Sequence, residues 1–271
     1  MAPSAASSSS QENSRRLFEV VPDSSEKLTP RVKEVARLPG GARAVFLGEH
    51  HDASLDHSMQ AELIRRQTGD ACVGFEAVQR KFQPALDAYA SGGMGLTELK
   101  DAVEWEQRWV WPFERYAPVF EAAKDVGASL LALNVDSEDL ETVERGGLRT
   151  LPKDVFLQYV GDAAKFSDFA KTPAFREYVR YVVEPSYDAH RRLGILKTTI
   201  NGKPLDQEMP LSHFFGARML WDATMAHTAA TWCKAHPDGR FLGLVGSDHV
   251  KFGCGPTQRP TLGPNVEVVG A

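Results

Sequence analysis

The chain has 271 residues, 42% of them hydrophobic and 25% charged, with 31 basic and 36 acidic side chains and a formal net charge of −5. That balance is globular and excludes low-complexity, fibrous and highly charged disordered classes; the length suffices for one large core or two modest ones. The mild acidity removes the general electrostatic footprint of a nucleic-acid binder, so no nucleic-acid partner is expected.

Residues 1–30 start on MAPSAASSSSQENSRRLF, which has no apolar core between charged ends and no small-residue cleavage site, so it does not read as a secretory signal. Such a Ser-rich run cannot bury enough apolar surface to order itself, and 1–30 is expected to be a weakly ordered tail. Residues 31–271 are expected to form one domain. Its first apolar run, 43–48, ends in Gly and meets polar residues at once, which suits a buried strand. Leu55, Met59, Leu63 and Ile64 then recur at helical spacing over 54–66, with Asp52 or Ser54 available as N-cap. Further apolar runs at 71–77, 128–135, 240–246 and 265–269 are separated by helical patterns, the first of them followed by a helix over 116–125. Strands alternating with helices imply βαβ units, so the expected fold class is α/β: a mainly parallel sheet flanked by helices.

Residues 137–236 carry helical periodicity and no convincing strand, and are expected to be a helical subdomain inserted before the last strands. Tyr178, Tyr181 and Val182 share one helix face. Phe214, Trp221, Met225, Thr228 and Trp232 form a stripe on another, after Ser212 as N-cap. Pro173, Pro185 and the Asn201-Gly202 turn punctuate the segment. Three cysteines, Cys72, Cys233 and Cys254, form no CxxC and leave one unpaired, which fits neither a disulfide framework nor a structural zinc site and points to a reducing compartment. No stretch approaches the ~18 apolar residues of a membrane span. A soluble, intracellular protein of the cytoplasm or of an organelle such as the plastid is expected.

In an open parallel sheet the ligand crevice lies beyond the carboxyl ends of the strands. Leu47-Gly48-Glu49-His50-His51-Asp52 stands there, with His57 and Gln60 on the following helix; Phe75-Glu76, then Asn134 and Asp136, then Ser247-Asp248-His249 end the other three strands. Glu49, His50 and His249 are the leading candidates, because a carboxylate beside imidazoles serves both acid–base work and metal ligation. Glu76, Asn134 and His57 join them. Asp52, Ser54, Asp136 and Asp248 equally suit caps and loops, Asn134 suits a cap for the helix at 137, and His51 and His57 suit exposed turn positions. His190, His213, His227 and His236 have no acidic partner in sequence and read as structural. Around His249, Gly246, Gly253, Gly255 and Pro256 describe a tight loop. No phosphate loop, GxSxG elbow, HExxH helix or CxxCH motif is present.

LGEHHD (47–52) with His57 and Gln60, GFEAVQRKFQPALDAY (74–89), WEQRWVWPFERYAPVFEAAKDVGASLLALNVD (105–136), WDATMA (221–226) and GLVGSDHVKFGCGP (243–256) stand in one order and spacing. The chain resembles, over nearly its whole length, the ChaN-like haem-binding proteins of the superfamily that also holds the TIKI proteases and erythromycin esterases. The resemblance implies an α/β fold with a helical subdomain and haem as a small-molecule ligand at a homodimer interface. It also implies that Glu49, His50 and His249 occupy site positions. The closing loop departs from the family pattern: Phe252 brings an aromatic without a hydroxyl. Tyr89 and Tyr116 are then the candidate phenolate ligands of iron, and Cys254 a candidate thiolate. No lipid-attachment cysteine is seen, so an iron-uptake role is not carried over. The alternative is a hydrolase in which Glu49 or His50 activates water, with His249, either directly or through a divalent metal held by His50, Glu76 and His249.

Overall fold

The structure, a computed structural model, describes residues 42–251 with their side chains and the backbone of strands at 17–21, 31–35 and 266–269. It divides into two compact units, 1–40 and 41–271. In the first, β1 (Leu17–Val21) runs antiparallel to β2 (Arg31–Val35), with Leu17 opposite Val35 and Val21 opposite Arg31. β1 lies within the stretch expected to be a tail; the rest of 1–30 lies outside the described residues.

The second unit opens with β3 (Ala44–Glu49), α1 (Ser54–Arg65), β4 (Ala71–Gln79), α2 (Gln83–Ala90), α3 (Leu96–Ala102), α4 (Trp105–Arg108), α5 (Phe113–Asp125) and β5 (Ser129–Asn134). Six helices follow: α6 (Ser137–Gly146), α7 (Lys153–Val160), α8 (Ala163–Ala170), α9 (Pro173–Tyr178), α10 (Glu184–Arg192) and α11 (Leu211–Ala235). The chain then returns to the sheet through β6 (Arg240–Gly246), a helical turn at Ser247–His249 and β7 (Val266–Val269). The expected strands and the helical insert are therefore present; between β5 and β6 the extended backbone amounts to an isolated bridge from Thr198 to Pro204.

All neighbouring strands of the second unit pair in parallel, in the order β5-β4-β6-β3-β7. Both faces are covered, which is why β3 and β4 are buried at every position and read as unbroken apolar runs. Alternate residues face opposite layers. Ala44, Phe46, Cys72 and Phe241 pack with Met225, Ala229 and Trp232 of α11, whereas Phe75 stacks on Phe120 of α5 at 4.2 Å. Gly74 and Gly243 stand opposite each other on β4 and β6. A Cβ on Gly74 would meet Phe241 at 2.7 Å and one on Gly243 would meet Phe46 at 2.6 Å. The paired glycines thus leave the hollow in which two phenylalanine rings lie across the sheet.

Two expected caps are corrected. Neither Ser54 nor Asp52 caps α1, whose N-cap is Ala53, with no side-chain bond. Pro210, not Ser212, occupies that position in α11. In both, tertiary packing sets the helix start, overriding a cap worth about 1 kcal/mol. The two buried cysteines, Cys72 and Cys233, are free thiols, and Cys254 lies outside the described residues.

Candidate functional site

The ends of β3, β4 and β6 hold two hydrogen-bonded clusters. The first is centred on Glu49. By strand alternation its side chain leaves β3 on the face covered by α1 and α5, and His51, two residues on, follows it. Glu49 Oε1 accepts from Tyr116 Oη at 2.7 Å, His51 Nδ1 at 2.9 Å and His57 Nε2 at 3.3 Å, while Oε2 accepts from Gln60 Nε2 at 2.7 Å. Trp109 Nε1 donates to the Tyr116 hydroxyl at 3.2 Å, and His51 packs edge-on against Trp109 and stacks near Trp111. Burial opposes ionisation of Glu49, but the bonds and charges of His51 and His57 overcome it and hold the carboxyl well below its ordinary 4.5. Burial likewise opposes a charged His51; its bond to Glu49 and the nearby Glu76 carboxylate nevertheless raise its pKa above 6.5.

The second cluster lies on the opposite face, against α11. His249 stands between two carboxylates, its Nε2 2.9 Å from Glu76 Oε1 and its Nδ1 bonded to Asp222. Glu76 Oε2 accepts the Gly246 N–H at 2.5 Å. Arg218, one helical turn before Asp222, lies 3.9 Å from it and donates to the Tyr178 hydroxyl at 3.1 Å. Burial and the charge of Arg218 work against protonation of His249, yet Glu76 and Asp222 raise its pKa. Glu76 is lowered: burial opposes it and the charge and bond of His249 win. Glu49, Glu76 and Asp222 thus face His51, His249 and Arg218, three acids against three bases.

A cavity of about 280 Å³ opens beyond the strand ends. Its sheet-side wall is His51, Glu76, Trp109, Trp221 and His249, and its helical wall brings Glu144, His190, Ile195, Ile200, Met209 and Phe214. Glu144, on α6, is buried; Oε2 accepts the Ile200 N–H at 2.8 Å, and it makes no ion pair among the described residues. Burial pushes its carboxyl up to about 7.

Of the residues nominated from sequence, Glu49, His57 and Tyr116 meet in the first cluster and Glu76 and His249 in the second, and of these Glu76 and His249 line the cavity. His50 joins neither cluster. Its side chain is 60% exposed and bonded to Asp56, because the alternation that turns Glu49 inward turns its neighbour outward. The expected metal trio of His50, Glu76 and His249 is therefore not assembled, and no group of three His, Cys, Asp or Glu among the described residues is arranged to hold a metal ion. Tyr89 is buried away from the cavity against Phe120, with the Lys124 ammonium 4.4 Å above its ring; burial takes it up to about 12. Asn134 is buried with Oδ1 unpartnered among the described residues, and the helix-capping position belongs to Asp136. The sequence reading set His51 on an exposed turn and His190 among the structural histidines, and did not nominate Arg218, Asp222 or Trp109. The signal for Asp222 was present: an acid one turn after Arg218 inside an apolar helical stripe is buried only when paired.

A parallel sheet whose strand ends deliver paired acids and imidazoles to one cavity defines an α/β ligand-binding or catalytic protein. The chain belongs to the family described as haem-binding uptake, Tiki superfamily, ChaN, whose model matches residues 36–259. A solved structure described as cofacial haem binding to ChaN of Campylobacter jejuni is 18% identical, covers 85% of this chain and 81% of that chain, and superposes with a TM-score of 0.58, a likeness of fold. An erythromycin esterase variant, EreC, in its open conformation is 17% identical over 85% of this chain and 70% of that one, with a TM-score of 0.42. No curated protein matches the sequence. No helix among the described residues is long and apolar enough to cross a membrane.

Proposed function

We propose that this protein binds haem or a related tetrapyrrole in the cavity beyond its strand ends. Family membership supports the reading, and so does the cofacial haem binding described for ChaN of Campylobacter jejuni. The observation that carries it is the cavity wall, which joins Trp109, Trp221 and Phe214 to three imidazoles. Flat aromatic and apolar surface with a few nitrogen donors is the chemistry a macrocycle and its iron need. The cavity is smaller than the macrocycle, so the half-exposed Ile195 and Ile200, which line it, would cover what stays outside. The homodimer belongs to the same proposal, since exposed Leu193, Ile195 and Ile200 leave apolar surface for a second copy. So does an intracellular location, which the free thiols of Cys72 and Cys233 suit. When bound, haem supplies a redox-active iron. The test is a titration of ferric haem into the purified protein: a saturable Soret shift is expected, and its absence overturns the reading. Light scattering with and without haem checks the dimer.

One observation favours a second reading, hydrolysis by acid–base chemistry. His51 keeps its Nδ1 on a buried carboxylate and is part of the cavity lining, the arrangement by which a carboxylate orients a catalytic imidazole. Both oxygens of Glu49 are occupied and His50 faces solvent, so the base in this reading is His51. Turnover of an ester or amide panel, abolished in His51→Ala, would establish it; an inactive wild type would remove it.

A further inference from the structure

Iron in a tetrapyrrole needs an axial donor with a free lone pair, and most candidates here are committed. Tyr116 is held in the Glu49 cluster, where burial and the adjacent carboxylate raise its pKa and disfavour the phenolate. Tyr89 does not line the cavity. Both nitrogens of His249 are taken by carboxylates. His51 gives Nδ1 to Glu49, and its Nε2 lies against the end of β6, 2.7 Å from where a Cβ on Gly246 would stand.

His190 differs. It sits at the end of α10, and its Nδ1 lies 2.8 Å from the Ser186 carbonyl one turn back. A carbonyl only accepts, so Nδ1 carries the proton and the neutral ring presents its lone pair on Nε2. That nitrogen has no partner among the described residues, and the residue lines the cavity. Phe214, 5.3 Å away between ring centroids, packs against the imidazole and fixes its plane. A ligating histidine almost always donates its other N–H to a carboxylate or backbone carbonyl, which sets tautomer and orientation. His236 makes the same bond to the carbonyl four residues back, but it stacks on Trp232 and lines no part of the cavity. The coincidence of the bond with the cavity is what singles out His190.

We infer that His190, through Nε2, is the axial ligand of the tetrapyrrole iron in this protein, in place of a tyrosine. The inference rests on the tetrapyrrole reading above, and Ser186 and Phe214 are its positioning residues. Ferric haem is titrated into wild type, His190→Ala, Tyr116→Phe and Tyr89→Phe, with absorbance, electron paramagnetic resonance and Trp fluorescence quenching as readouts. Wild type should show an imidazole-ligated ferric spectrum. His190→Ala should lose it, bind haem at least about tenfold more weakly, and regain the spectrum when free imidazole is added; the two tyrosine variants should keep an imidazole-ligated spectrum, whatever their affinity. A wild type that binds no haem overturns the tetrapyrrole reading itself. A wild type that binds, with His190→Ala spectrally unchanged or the imidazole-ligated spectrum lost in Tyr116→Phe, overturns His190 alone. His190→Gln, which keeps a polar side chain of similar reach, controls for folding: it should melt like wild type and still lack the imidazole spectrum.

Discussion

The two walls of the cavity are built on opposite electrostatic principles. On the sheet side every buried charge has a counter-charge within reach: Glu49 with His51, Glu76 and Asp222 with His249, Arg218 with Asp222. On the helical side Glu144 is buried with no ion pair among the described residues, and His190 Nε2 has no partner there. A closed network of this kind is held rigid by its own bonds, and removing a member leaves an uncompensated charge in low dielectric. Open groups receive bonds from something else. The sheet wall is thus the pre-organised part of the site and the helical wall the receptive part.

The largest test of that contrast is Arg218→Met, which keeps the apolar stem and strips the charge facing Asp222. Breaking a buried pair from one side costs about 3–5 kcal/mol. For a domain of this size that lowers Tm by roughly 6–20 °C, measured by calorimetry; an unchanged Tm would dissolve the closed network. Next comes Glu49→Gln, which replaces one accepting oxygen with an amide NH2 among four donors. Losing charge-assisted bonds there should cost about 1.5–3 kcal/mol in urea unfolding, and a variant as stable as wild type would show that Glu49 is not the hub.

The pH dependence separates the walls. Glu49 and Glu76 titrate below 4.5 in the folded protein, so their contribution is present above pH 4.5 and is lost as pH falls through the lowered folded values. His51 and His249 titrate above 6.5, so theirs is full below pH 6.5 and is lost as pH rises through the raised values. Stability should peak between these limits. Glu144, raised to about 7, adds a decline from pH 4.5 to 7, because the folded state holds a proton the unfolded chain has released. Denaturation midpoints across pH 4–8 should show that decline in wild type and less of it in Glu144→Gln; equal slopes would mean that Glu144 is not buried uncompensated. The smallest effect belongs to His50→Ala. An exposed pair with Asp56 is worth up to about 1 kcal/mol, so melting and haem titration should both stay near wild type, in contrast to His51→Ala. A large loss from His50→Ala would reverse the assignment of the two neighbouring histidines.

Much of this fold was legible because buried parallel strands write continuous apolar runs. Residues 43–48, 71–77, 128–135 and 240–246 match β3, β4, β5 and β6 within one or two residues. Polar residues at their ends were legible as well: Glu76 and His249 bond each other there, while Glu49 heads a separate cluster on the other face. His50 and His51 were harder, since adjacent residues at a strand end face opposite sides and only the register against α5 says which is inside. His190 carried no local signal: its bond to Ser186 is an ordinary helical contact, and it becomes a site residue only by lining the cavity.

The amino-acid sequence by itself determined the elements, the chemistry available at their ends and the family, because hydrophobic period and strand-end residue types are local properties. The tertiary structure alone decided that β6, late in the chain, slots between β3 and β4. That insertion carries His249 to Glu76 from far along the chain and sets Arg218 and Asp222 of α11 beside them. Strand order follows from burying all faces at once, a condition no short stretch of sequence encodes. The same packing brings α6 and α10 around to close the cavity with Glu144 and His190.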